Sequence, residues 1–161
     1  MIYLSIIGAR GIPANYGGFE TFVEKLSLGL PKEDYIITVV GDNEHKESAG
    51  KFVFPDNIRL VYSKYAKQDN PIKYYLDSML LGMRSGSIIY CCGAGAGYFS
   101  FIPRLFGKIF ITNPDGVGWR RSKWNFVIRG ALQSLFLASS LFSQYIVCDS
   151  KAIKSLFSAV F

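Results

Sequence analysis

Short apolar runs alternate along this chain with segments of helical spacing. Residues 2–7 are an almost unbroken apolar run closed by Gly8, the pattern of a strand buried on both faces. Apolar side chains at 19, 22, 23, 26 and 30 then recur at helical intervals until Pro31 stops them. Further apolar runs at 35–40, 58–62, 87–92, 108–112 and 145–148 predict five more strands. Helical patterns span 71 to about 84, 98–106, 124–142 and 150–158. Residues 42–56 and 113–123 read as loops.

Strands alternating with helices predict an α/β fold, a Rossmann-like doubly wound parallel sheet with right-handed crossovers. Such sheets bind ligands at the carboxyl ends of their strands. The glycine-rich and polar segments here follow strands one, four and five, so their chemistry should converge on one edge. With 161 residues and no internal repeat or linker-like tract, residues 1–161 form one domain.

Charge is distributed unevenly. Residues 1–77 carry nine Lys/Arg and ten Asp/Glu, whereas residues 78–161 carry nine Lys/Arg and two acids, Asp115 and Asp149. A one-sided positive field suits phosphates, an anionic membrane surface or nucleic acid, or serves only solubility. No nucleic-acid recognition motif accompanies it, and no nucleic-acid partner is expected. Cys91, Cys92 and Cys148 fall in apolar runs and read as buried free thiols, which points to the cytoplasm. The N-terminus lacks a basic signal-peptide start. Residues 131–148 are the most apolar stretch, but polar side chains interrupt it. A spanning helix needs about 20 predominantly apolar residues. The stretch reads as a buried helix followed by a strand.

The first strand leads into Gly8-Ala9-Arg10-Gly11-Ile12-Pro13-Ala14-Asn15-Tyr16-Gly17-Gly18-Phe19-Glu20. Gly17 and Gly18 precede a helix, where bare amides form an anion site and glycine permits close approach. Glu20 either complements the helix dipole or accepts hydrogen bonds from sugar hydroxyls. The loop has no tight G-x-G-x-x-G turn, and no Walker A sequence occurs, which disfavours a nicotinamide-dependent oxidoreductase. Asp42 ends strand two where a ribose-binding acid would lie, but acids are common turn residues. Gly93-Ala94-Gly95-Ala96-Gly97 is a second close-approach loop, or a turn that packs a helix on the sheet.

After strand five comes Asn113-Pro114-Asp115-Gly116-Val117-Gly118-Trp119-Arg120-Arg121-Ser122-Lys123-Trp124. Turn chemistry accounts for Pro, Asp and Gly, but not for two tryptophans and three cations. Aromatic faces with cations suit sugar–phosphate or lipid–phosphate ligands. Asp115, ionised among cations, suits a sugar hydroxyl or its proton. His45 lies in a polar loop without a nucleophile nearby in sequence. Cys91 and Cys92 alternate across one strand and make a poor metal pair. The 62–75 stretch, with Lys64, Lys67 and Lys73, reads as a solvated loop and helix start, with a place lining the ligand cleft as the alternative.

Ile6-Ile7-Gly8-Ala9-Arg10-Gly11-Ile12-Pro13 followed by Tyr16-Gly17-Gly18-Phe19-Glu20-Thr21 resembles the start of bacterial rhamnosyltransferase-type enzymes of glycosyltransferase family 4. Residues 113–124, Cys92-Gly93-Ala94-Gly95 and Asp149-Ser150-Lys151-Ala152-Ile153 match that group in order and spacing. The resemblance covers nearly the whole chain. It implies the N-terminal, acceptor-side half of a GT-B fold, with a donor-binding C-terminal domain absent from this chain. It further implies retaining, metal-independent transfer from a nucleotide sugar to a saccharide or lipid-linked acceptor, without a cofactor. Capsule, exopolysaccharide or lipopolysaccharide synthesis at the inner membrane face would be the setting.

By the same resemblance, Asp115 is the candidate catalytic residue. Arg10, Asn15, Tyr16, Gly17, Gly18, Glu20, Gly93, Gly95, Trp119, Arg120, Arg121 and Lys123 are the candidate substrate-binding residues. Family members carry Glu where this chain has Gly118, and the chain ends at Phe161 before the family's donor-side glutamates and cations. Alone, the domain is expected to be inactive, because it cannot enclose a donor and align it with an acceptor. The alternative is a noncatalytic α/β binding module that meets an anionic membrane or a partner protein.

Overall fold

A computed structural model describes residues 1–15, 17–50, 52–114, 116 and 125–160. The strands are β1 (Ile2–Ile7), β2 (Tyr35–Gly41), β3 (Ile58–Tyr62), β4 (Ile88–Cys92), β5 (Ile109–Asn113) and β6 (Tyr145–Ile146). The helices are α1 (Gly18–Gly29), α2 (Lys46–Ala49), α3 (Pro71–Ser85), α4 (Ile102–Leu105), α5 (Phe126–Phe142) and α6 (Lys151–Val160), with 3₁₀ turns at Asn43–His45 and Ala94–Phe99.

All strand pairs are parallel, in the order β3-β2-β1-β4-β5-β6. The doubly wound α/β sheet expected from the pattern is therefore present. The chain winds outward from β1 through β2 to β3, and α3 then returns it to β4 at the other side of β1. That reversal makes the carboxyl ends of β1 and β4 the switch point, where open α/β sheets place their ligand crevice.

Alternation along the strands divides the core between two faces. Leu4, Ile6, Ile37, Val39 and Cys92 join Val23 of α1 on one face. Ile7, Val40, Ile89, Cys91 and Phe110 join Tyr74, Tyr75 and Met79 of α3 on the other. Cys91 and Cys92 thus point to opposite faces, and both are buried, whereas Cys148 is only partly so. Burial raises the Cys91 thiol to about 12 and pushes Cys92 up as well. Small residues let α3 lie close to β1: Ser5 Oγ donates to Gly82 O at 2.8 Å.

Several predicted elements change in tertiary context. Residues 42–56 contain the Asn43–His45 turn and α2 rather than loop throughout. The Asp42 side chain accepts from His45 N and starts that turn. The helix expected over 98–106 becomes the Ala94–Phe99 turn plus the short α4. Gly97 lies so close to α5 that a Cβ there would sit 2.0 Å from Leu135 O, so the turn packs directly on that helix. β6 keeps only two of four expected residues. The stretch expected to be a buried helix is half exposed. Within it α5 buries Phe136, Ser139 and Ser140, while Leu137 is 36% and Leu141 61% exposed. It packs on the 94–99 turn at the sheet margin, so only one stripe is covered. No helix among the described residues is long and apolar enough to cross a membrane.

Candidate functional site

The loop after β1 is braced from several directions. Gly8 takes a φ of +88°, and a Cβ there would meet Cys92 O at 2.4 Å, so only glycine lets β1 and β4 end side by side. Tyr74 Oη donates to Ala9 O at 2.6 Å. Asp42 N donates to Arg10 O at 2.9 Å, and Arg10 N donates to Glu20 Oε1 at 3.0 Å. Ala14 N donates to Glu24 Oε2 at 2.5 Å. The Ile12–Pro13 peptide is cis.

His45 is buried, and its Nε2 lies 2.7 Å from Pro13 O. It fastens the loop after β1 to the segment after β2, so this histidine in a polar stretch serves packing. Asp42 is 2% exposed and its carboxylate accepts His45 N at 3.1 Å. The turn reading of Asp42 accounts for that contact without a ribose.

Glu20 is 7% exposed. Its Oε1 holds Arg10 N, and its Oε2 lies where a Cβ on Gly17 would be, 2.3 Å away. Glu20 therefore shapes the loop from within. Gly17, with φ +111°, accommodates it. Gly18 has nothing within 4 Å of a built Cβ and faces open space at the start of α1. Arg10 and Asn15 are exposed on the same loop.

The second glycine run divides in two. Gly93, with φ +89°, follows β4, and its N donates to Asn113 O at 2.6 Å. A Cβ on Gly93 would lie 3.8 Å from both Phe19 Cε2 and Tyr75 Oη, ordinary contact distances. Phe19 thus joins the Gly17–Gly18 segment to Gly93, and Gly93 is tied in turn to the end of β5. Gly95 is different: a Cβ would fall 2.1 Å from Tyr75 Cε2. It is glycine because α3 packs there, so the helix-packing alternative holds for Gly95 and Gly97.

Of the candidate residues, Arg10, Asn15, Gly17, Gly18, Glu20, Gly93 and Gly95 lie on the two loops that meet at the carboxyl edge. Tyr16, Asp115, Trp119, Arg120, Arg121 and Lys123 lie outside the described residues, as does Gly118. At the end of β5, Asn113 Nδ2 donates to Asp149 Oδ1 at 2.7 Å, which links the strand to the segment before α6. Among the described residues no group of three or more His, Cys, Asp or Glu is placed to hold a metal ion.

Lys67, in the stretch that reads as a solvated loop, is not among the candidate site residues. It is partly buried, not solvated, and its Nζ donates to Gly8 O. The ammonium stands 5.6 Å from the centre of the Tyr75 ring. Burial pushes Lys67 below the usual lysine range, opposed chiefly by the Glu20 carboxylate. The available signal was position: Lys67 follows β3 and shares the strand-end edge with the glycine loops.

The fold has a counterpart among solved structures. Sucrose-phosphate synthase from Thermosynechococcus elongatus matches 97% of this chain at a TM-score of 0.72 and 11% identity. The chain spans 44% of that protein, so the likeness is to one portion of it, and at this identity it is a likeness of fold. A search of curated proteins finds no match. Residues 1–160 match the family described as a domain of unknown function, DUF1972, and the chain belongs to that family.

Proposed function

We propose that this chain is the acceptor-side domain of a glycosyltransferase, rhamnosyltransferase-like, that acts from a nucleotide sugar in surface polysaccharide synthesis. The observation that carries this reading is the junction of the loops after β1 and β4 through Phe19, with Gly18 open and Gly93 uncrowded. Two backbone segments without side chains face one crevice, an arrangement that admits a bulky sugar or phosphate. The likeness of fold to a sugar-transferring protein and the loop motifs support it.

In this reading Gly17 and Gly18 approach the donor diphosphate, and Asp115 lies by the acceptor hydroxyl. The acceptor oxygen bonds to the anomeric carbon, its proton passes to the Asp115 carboxylate, and the nucleoside diphosphate departs with the bonding electrons. No metal or cofactor takes part. The cations Arg120, Arg121 and Lys123 favour a phosphorylated or lipid-linked acceptor. A donor-binding domain completes the cleft, and isolated residues 1–161 transfer no sugar.

Titration with UDP or dTDP, followed by amide NMR, tests the site. The expected shifts concentrate at Gly17, Gly18 and Gly93; shifts confined to other edges of the sheet contradict it. In a protein that joins this chain to a donor domain, Asp115→Asn is expected to lower transfer by about 100-fold or more. Unchanged transfer removes Asp115 from the chemistry.

A second reading, a noncatalytic module on an anionic membrane, is favoured by the exposure of Leu105, Phe106, Phe126 and Leu141 together with that of Arg104 and Arg129. Co-sedimentation with phosphatidylglycerol vesicles but not phosphatidylcholine vesicles supports it. Equal partition with both removes it.

A further inference from the structure

Lys67 lies outside the glycine-rich loop motifs, yet its ammonium reaches the seam between β1 and β4. It donates to the carbonyl of Gly8, the residue at which any Cβ would clash with the end of β4. Its neighbours leave little room for a purely mechanical account. The Tyr75 ring beneath it is itself fixed against Gly95. The Glu20 carboxylate is near enough to favour the charged lysine, but one of its oxygens is taken by Arg10 N and the other is pressed on Gly17. An ammonium has three N–H donors, and Gly8 O accepts one. A neutral amide would strap the two loops equally well without the cost of withdrawing a charge from water.

We propose that Lys67 is the cation that receives an anionic phosphate of the ligand in the β1–β4 crevice. This rests on the sugar–phosphate reading of that crevice and adds the residue that neutralises the bound charge. Lys67 approaches from the segment after β3, so the phosphate is held between Lys67 on one side and the glycine backbone on the other. The other charged and titratable groups facing Lys67 are Tyr75, Glu20, Arg10, Cys91 and Cys92. Both thiols are held protonated by burial, so Glu20 and Arg10 supply the remaining charge.

The test uses the 161-residue chain, inorganic pyrophosphate and calorimetry. Lys67→Met keeps the stem and removes the charge; it is expected to weaken pyrophosphate binding by about tenfold or more. Lys67→Arg is expected to stay within about threefold of the parent at neutral pH, since the guanidinium keeps the charge. The parent should lose affinity as pH rises, beginning below the ordinary lysine range, because the ammonium deprotonates. Lys67→Arg should lack that component, although it experiences the same titration of pyrophosphate.

Undiminished binding by a folded Lys67→Met chain overturns the proposal and leaves Lys67 a strap. If Lys67→Met does not fold, identical pH profiles for the parent and Lys67→Arg overturn it instead. Gly18→Val separates this idea from the site itself. Binding weakened by Gly18→Val but not by Lys67→Met sinks the lysine and keeps the crevice. Pyrophosphate binding insensitive to both, or absent from the parent, sinks the lysine proposal, and the UDP shifts at Gly18 then decide the crevice independently.

Discussion

Helices α3 and α5 are similar in length, yet one is built into the core and the other lies along its margin. α3 buries Tyr74, Tyr75, Ser78, Met79 and Gly82 against the sheet. α5 has more apolar residues but buries only Phe136, Ser139 and Ser140. Both begin in the same way: Asn70 Oδ1 accepts Lys73 N at 3.2 Å, and Asn125 Oδ1 accepts Ile128 N at 2.9 Å. Local helix chemistry is therefore common to the two. What differs is the surface that receives them, for α3 crosses β1 and β2 while α5 rests mainly on the 94–99 turn. Hydrophobicity shows which residues favour burial; the neighbouring elements determine which of them achieve it.

The contrast predicts unequal mutational costs. Met79→Ala should destabilise the chain by about 3 kcal/mol, because it empties a fully enclosed site under α3. Leu141→Ala on α5 should change stability by no more than about 0.5 kcal/mol. Urea unfolding of the pair measures this, and equal losses would show α5 to be as deeply built in as α3.

Tyr74→Phe should cost about 1–2 kcal/mol by leaving Ala9 O without its donor. It should also loosen the loop after β1, seen as faster amide exchange at Arg10 and Gly11. A loss of stability without altered exchange would detach α3 from the shaping of that loop. An effect of opposite sign belongs to Gly130→Ala on α5. A Cβ there meets nothing within 4 Å, so helix propensity should raise stability by about 0.5–1 kcal/mol. Destabilisation would reveal a hidden contact on the exposed face.

Strands β1 to β5 were legible to within a residue at each end, since central parallel strands are buried on both faces and stand out as continuous apolar runs. The edge strand β6 is shorter than its apolar run: Val147 N still donates to Thr112 O at 2.8 Å, but the paired register ends at Ile146. In the candidate site, the loops that flank the crevice were visible as Gly17-Gly18 and Gly93. The jobs of individual members were not. Glu20 turned inward to brace Arg10, Gly95 made room for Tyr75, and Lys67 left solvent for Gly8 O. Each of these contacts joins residues that lie too far apart in the chain, or too irregularly, for any local period to reveal.

Taken alone, the order of residues determined the alternation of strands and helices and, with it, the edge of the sheet that carries the glycine loops. Apolar runs and turn residues act over a few positions, and that range is enough to set elements and their sequence. Tertiary structure alone decided which glycines are open and which are crowded, which lysine is drawn out of water, and how much of α5 stays exposed. Those outcomes depend on the close packing of elements brought together from distant parts of the chain, where a shift of one methyl group separates contact from clash.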